Sequence, residues 1–278
     1  MEEIKIINDN NIILKGKYFK VSEKKCCIFF HGFAGHFGSM AEDLQKKCND
    51  NGISFLFGYT TGYKTIYPMK KKVNGEKIEI VQGGCYENLE NYYIDYKAWF
   101  DFLKRENYDD IYVVGHSLAC NKIIDYFNKY EIDEVKKIVM LAPQDLSKII
   151  YTQKNNISQA KLYMLNNKEN EILSEKFLGF CPISAKTFLS FGRECFLHNL
   201  KYKDANYKYQ KLKYIKKPIY IFIGENDEGL NGVSADKYMQ RIIKNTNNIQ
   251  YQVMENCNHT FKNYTNVLAE KVIKFILE

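Results

Sequence analysis

The chain has 278 residues, 26% charged and 45% hydrophobic, with 40 Lys and Arg against 33 Asp and Glu and a formal net charge of +7. The length suits one large α/β domain, or a core with an inserted lid. The lysines are scattered and come with no zinc spacing, helix-turn-helix signature or aromatic-interleaved basic strand, so the charge reads as a solvated surface and nucleic acid is excluded as a partner. No apolar run approaches the roughly 20 residues that span a bilayer.

Residues 4–15 alternate around Asn8-Asp9-Asn10-Asn11 and predict a hairpin, with Lys17–Val21 continuing as an antiparallel strand. Cys26–Phe30 is a continuous apolar run, the pattern of a buried parallel strand, and it opens into His31-Gly32-Phe33-Ala34-Gly35. Such a loop can present a backbone N–H, that of Phe33, beside a site at the strand end. Leu44 and Cys48 at helical spacing predict a helix over Met40–Asn49, stopped by Asn51-Gly52, and Ile53–Phe57 is the next strand. Between residues 70 and 80, Asn74-Gly75 joins alternating arms into a second hairpin, placed near the rim of any site on this edge. That hairpin is either a solvent-exposed elaboration or a substrate contact. Residues 88–105 carry a broad apolar stripe (Leu89, Tyr92, Tyr96, Trp99, Phe100, Leu103) and predict a core-packing helix.

The most informative segment follows. Ile111-Tyr112-Val113-Val114 runs into Gly115-His116-Ser117-Leu118-Ala119, and an amphipathic helix begins at once. Strand, tight turn and helix put Ser117 at a strained apex, which needs small neighbours two residues before and after it; Gly115 and Ala119 supply them. The hydroxyl is lifted clear of the sheet, and the Leu118 N–H points to where an oxyanion would form. His116 faces away from the serine at such a turn; it either hydrogen-bonds beneath the site or borders the substrate pocket.

Lys136–Leu141 predicts a further strand, ending in Ala142-Pro143-Gln144-Asp145. From 144 to 217 strand alternation gives way to helical patches at Ser158–Leu165, Glu169–Leu178 and Ser184–Phe191, which predicts a mainly helical cap between core segments 1–143 and 218–278. Within it Phe177, Phe180, Phe188 and Phe191 either line an acyl pocket or bind cap to core. Pro218–Ile223 reads as a central strand, followed by Gly224-Glu225-Asn226-Asp227. After another helix and strand comes Asn256-Cys257-Asn258-His259-Thr260-Phe261, then a last helix. Alternating strands and helices predict a mostly parallel central sheet with helices on both faces.

The four strand-end segments, at 31–35, 115–119, 224–227 and 256–261, resemble those of the α/β-hydrolase superfamily over nearly the whole chain. Its serine esterases, lipases and small peptidases with a helical cap are most similar in pattern. One departure is Ala119, where the familiar elbow has Gly. The resemblance implies Ser117 as nucleophile, His259 as general base, Asp227 as its orienting acid, and the N–H groups of Phe33 and Leu118 as oxyanion hole. Asp145 is the rival acid, because some relatives carry it after that earlier strand; Glu225 and Glu228 flank Asp227 and fit less well. It implies a carboxylic ester or thioester hydrolase on a small, largely apolar acyl substrate, with no cofactor. Acyl transfer or peptide cleavage through the same acyl-enzyme is the alternative, and a non-catalytic binding protein on the same fold is the third reading.

The remaining ionisable residues add no competing chemistry. No His-x-x-x-His or Cys-x-x-Cys pattern suggests a metal, and Gly83-Gly84 lacks the sequel of a phosphate loop. The eight cysteines fall largely in apolar patterns and Met1-Glu2-Glu3 opens acidic rather than as a signal peptide, so a reduced cytosolic protein is expected.

Overall fold

The computed structural model describes residues 1–144, 150, 152–193, 210–230, 232–243, 246 and 248–278. Among the described residues, ten strands form a single sheet. The antiparallel pair β1 (Glu2–Ile7) and β2 (Ile12–Phe19) lies at one end, turning at Asn11, whose φ of 62° suits Asn. β2 runs without a break, so the predicted hairpin arm and the strand after it are one element.

β2 pairs antiparallel with β4 (Ser54–Gly58), and from there the sheet is parallel: β4, β3 (Lys25–Phe30), β7 (Asp110–His116), β8 (Val135–Leu141), β9 (Ile219–Gly224) and β10 (Ile249–Met254). Parallel strands buried on both faces need continuous apolar runs, and β3 and β4 are buried almost throughout. Helix α1 (Ser39–Asp50) packs on the C-terminal helix α7 (Thr265–Leu277), and α2 (Tyr92–Arg105) on α3 (Leu118–Lys129). α6 (Ala235–Ile243) covers β10. Trp99 of α2 is fully buried and donates its indole N–H to the Tyr59 carbonyl at 3.0 Å, while Phe30 stacks on Tyr96 at 3.9 Å between ring centroids. Large rings therefore weld α2 to the sheet.

The 67–82 excursion is a hairpin, β5 (Tyr67–Val73) and β6 (Glu76–Gln82), with Asn74 and Gly75 both at positive φ as a tight hairpin turn demands. It pairs with β2 through Ile12 and Ile13, so three strands (β2, β4 and β3) separate it from β7. In the segment after β8, α4 (Lys154–Leu165) and α5 (Ala185–Arg193) are helical. The spacing at Glu169–Leu178 does not become a helix. Its backbone bonds across a small loop instead, Leu173 N–H to Ile183 and Phe177 N–H to Cys181, with Leu178 and Gly179 at positive φ. Left-handed residues end helical hydrogen bonding, which overrides the periodicity there.

The chain visits β3, moves outward to β4, then returns to the other side of β3 as β7. This is where the winding direction reverses, and a crevice opens at the C-terminal ends of the two diverging strands. The Gly32–Phe33 loop and Ser117 leave the sheet there.

Candidate active site

Ser117 follows β7 and precedes α3, with φ 55° and ψ −121°. That conformation costs a non-glycine residue of order 1–3 kcal/mol and persists only where its surroundings impose it. Gly115 shows part of the imposition: a Cβ there would lie 2.3 Å from Ile123 and 3.3 Å from Ala119. The Ser117 N–H bonds the Leu141 carbonyl at 2.8 Å, tying the turn to β8. α3 is anchored below by a buried Lys122–Glu87 ion pair and by Asp125, which accepts from Tyr92 at 2.6 Å, Lys129 at 2.7 Å and Lys211 at 2.5 Å. Charges inside are tolerable only when paired in this way.

The Ser117 hydroxyl lies 2.9 Å from His259 Nε2. His259 Nδ1 in turn lies 3.0 Å from both Asp227 carboxylate oxygens, and the Asp227 side chain is 1% exposed. The Gly229 N–H donates to Asp227 at 2.7 Å, so the carboxylate is fixed from its own loop. Three residues separated by 110 and 32 positions in the chain thus form one chain of contacts, because β7, β9 and β10 all end on the same edge. Geometrically this is a hydroxyl with an imidazole placed to take its proton and a carboxylate placed to hold the imidazole.

The two flanking acids have backbone partners. Glu225 accepts the Asn256 N–H and Glu228 the His259 N–H, each at 3.0 Å. They bind the acid loop to the histidine loop and stand apart from the imidazole ring. Asp145 lies outside the described residues. On the opposite flank, Leu118 is the first residue of α3 and its N–H has no intrahelical acceptor. Phe33 sits in the loop after β3, and among the described residues its N–H makes no backbone hydrogen bond.

His116 Nε2–H donates to the His259 carbonyl at 3.0 Å. Burial, and then the neighbouring His259 ring, pulls its pKa down to about 4, so it serves as a neutral brace under the histidine loop. His31 is likewise neutral, its pKa lowered by burial to about 3. Its tautomer follows from its partners: Nδ1–H donates to the Gly32 carbonyl at 2.9 Å, and Nε2 accepts from the Thr60 N–H at 3.3 Å.

The four phenylalanines separate into two kinds. Phe177, Phe188 and Phe191 are fully buried and pack together, with Phe33 edge-on to both Phe177 and Phe191 at 5.3 Å. Phe180 is 58% exposed and lies 6.4 Å from Phe33. A cavity of about 440 Å³ lies among Asn8, Thr61, Glu87, Asp95 and Thr187, and none of the four rings lines it. One residue that sequence reasoning passed over is Gln144, whose side-chain amide reaches within 3.1 Å of His259 Nδ1. Its only sequence signal is its place at the end of β8, one residue before the rival acid. Among the described residues, no cluster of His, Cys, Asp and Glu is arranged to hold a metal ion, and no helix is long and apolar enough to cross a membrane.

No family model matches the sequence, and no curated protein matches it. Solved structures do. Est1E from Butyrivibrio proteoclasticus with ferulic acid bound is 18% identical with a TM-score of 0.68, covering 98% of this chain and 97% of that one. The Pyrococcus furiosus esterase Pf2001 is 16% identical with a TM-score of 0.64, over 99% of this chain and 89% of its own. Mouse alpha/beta hydrolase domain-containing protein 10 is 13% identical with a TM-score of 0.64, over 99% and 98%. Whole-length structural agreement at such low identity is agreement of fold: the chain has the α/β-hydrolase fold.

Proposed function

We propose that the protein is a serine hydrolase of the carboxylesterase type, cleaving a carboxylic ester or thioester with a small, largely apolar acyl group. The observation that carries this reading is the unbroken contact chain from Ser117 through His259 to Asp227, at 2.9 and 3.0 Å, on a strained elbow at the switch point of the sheet. Strain of this kind is rarely kept without use.

In the reaction, Ser117 Oγ attacks the substrate carbonyl as His259 Nε2 takes its proton. Asp227 holds the Nδ1–H tautomer and steadies the imidazolium. The N–H groups of Phe33 and Leu118 receive the oxyanion, where one such donor is commonly worth about 10²–10³ in rate. The imidazolium then protonates the leaving alcohol or thiol, and water activated by the same imidazole releases the acid from Ser117.

In this reading the described residues 152–193 and 210–217, between β8 and β9, serve as the lid over the site. The acyl group sits against the exposed faces of Phe33 and Phe180, backed by the buried cluster of Phe177, Phe188 and Phe191. Ferulic acid in the Est1E structure makes an aromatic acyl group a sensible first substrate to try here. The deciding experiment is reaction with a fluorophosphonate probe followed by mass spectrometry of the labelled peptide. Label on Ser117 is expected; label elsewhere, or none, removes the serine mechanism.

A further inference from the structure

Gln144 is held unusually firmly for a residue just beyond a strand. It is 6% exposed; its own carbonyl accepts from Asn121 Nδ2 at 2.9 Å, and the preceding Pro143 carbonyl accepts from the Tyr238 hydroxyl at 3.1 Å. Its side chain then crosses the acid loop. A Cβ on Gly229 would lie only 1.7 Å from the Gln144 amide nitrogen and 2.4 Å from its Cδ, so residue 229 has to be glycine for this side chain to pass. The amide ends with its nitrogen 3.1 Å from His259 Nδ1, the same ring atom that lies 3.0 Å from both Asp227 oxygens.

A glutamine can present either end of its amide to this contact. His259 Nδ1 carries its hydrogen when Nε2 is free to accept the serine proton, and two N–H groups cannot satisfy each other. The end that fits the productive tautomer is therefore the amide oxygen. We infer that Gln144 is a positioning residue for the general base: it shares the His259 Nδ1–H with Asp227, and a carboxylate at position 144 can take over the role of Asp227. The inference rests on the serine-hydrolase reading above. It goes beyond it in giving the imidazole two supports, from β8 and from β9, where that mechanism uses one.

The test uses p-nitrophenyl butyrate and the full chain. Gln144→Leu, close in size but without an acceptor, is expected to lower kcat about 10-fold with KM within twofold of wild type. Asp227→Asn is expected to lower kcat by 10³-fold or more. Adding Gln144→Glu to Asp227→Asn should then recover at least 10-fold, with Gln144→Asp carried in parallel in case the longer carboxylate does not fold beside Gly229. A residue that merely fills space would give no such rescue. Rescue by either carboxylate supports the inference; absence of rescue in folded double variants overturns it, as does a Gln144→Leu enzyme indistinguishable from wild type. Fluorophosphonate labelling of wild-type Ser117 is run alongside. If labelling succeeds while rescue fails, only the role of Gln144 falls; if labelling fails, the underlying mechanism falls first.

Discussion

The ring of His116 donates to the backbone carbonyl of His259 at 3.0 Å, so the residue that precedes the elbow serine holds the loop that delivers the imidazole to it. Two neighbours in sequence at the elbow thus contact the same residue, His116 at the His259 backbone and Ser117 at its ring, 2.9 Å away across 142 positions. Hydroxyl and imidazole are thereby tied together through one pair of loops, as a near-attack geometry would require.

Removal of the Ser117 hydroxyl is the plainest consequence. Ser117→Ala should abolish turnover of short-chain p-nitrophenyl esters while leaving the far-UV circular dichroism spectrum unchanged. Loss of a triad member leaves about 10³–10⁴ over water from the oxyanion hole and binding alone. Retention of more than a tenth of wild-type activity would rule out the mechanism.

His259→Ala should be about as damaging as the serine change, because the two act as one unit, and Asp227→Asn somewhat milder. Comparing Asp227→Asn with Asp145→Asn in steady-state assays separates the two acids. A crippled Asp145→Asn enzyme beside a normal Asp227→Asn enzyme would reverse the assignment.

The phenylalanines should respond according to burial. Phe188→Ala removes a fully buried ring and should cost about 3–5 kcal/mol of stability, read as a lowered midpoint in urea unfolding. Phe180→Ala, at 58% exposure, should leave that midpoint nearly unchanged. It should instead flatten the rise of kcat/KM along a p-nitrophenyl ester series from acetate to laurate, where each methylene buried against an apolar wall contributes up to about 0.8 kcal/mol. An unaltered series in Phe180→Ala would take this ring out of the acyl site.

His31 should make stability depend on acidity. Its pKa is about 3 in the folded chain against about 6.5 when unfolded, so the folded state stays neutral while the unfolded state takes up a proton. Stability from this group is therefore complete above pH 6.5 and lost as pH falls toward 3, at up to about 1.4 kcal/mol per pH unit. Replacing it with a group that does not titrate, His31→Gln, should shrink the drop in unfolding free energy between pH 7 and pH 5 by about 2 kcal/mol. Equal drops in urea titrations of the two proteins would show that His31 does not carry the dependence.

Reading the chain in one dimension determined the strands and helices of the core, because buried parallel strands need unbroken apolar runs and covering helices need an apolar stripe. It also picked out the elbow, since only small residues such as Gly115 and Ala119 let α3 approach β7 so closely. Strand-end loops ordered as serine, acid and histidine pointed to Asp227 and His259, which the fold brings into contact with Ser117 and each other. Periodicity misled at Glu169–Leu178, where cross-loop hydrogen bonds and left-handed residues outweigh helical spacing. Tertiary structure alone decided the rest. It set which phenylalanines are buried, gave Glu225 and Glu228 backbone partners instead of the imidazole, and brought Gln144 to Nδ1. The physical reason is that burial patterns and turns are local properties of a sequence. A 3 Å contact between loops carried by different strands depends on sheet order and register, which no local pattern encodes.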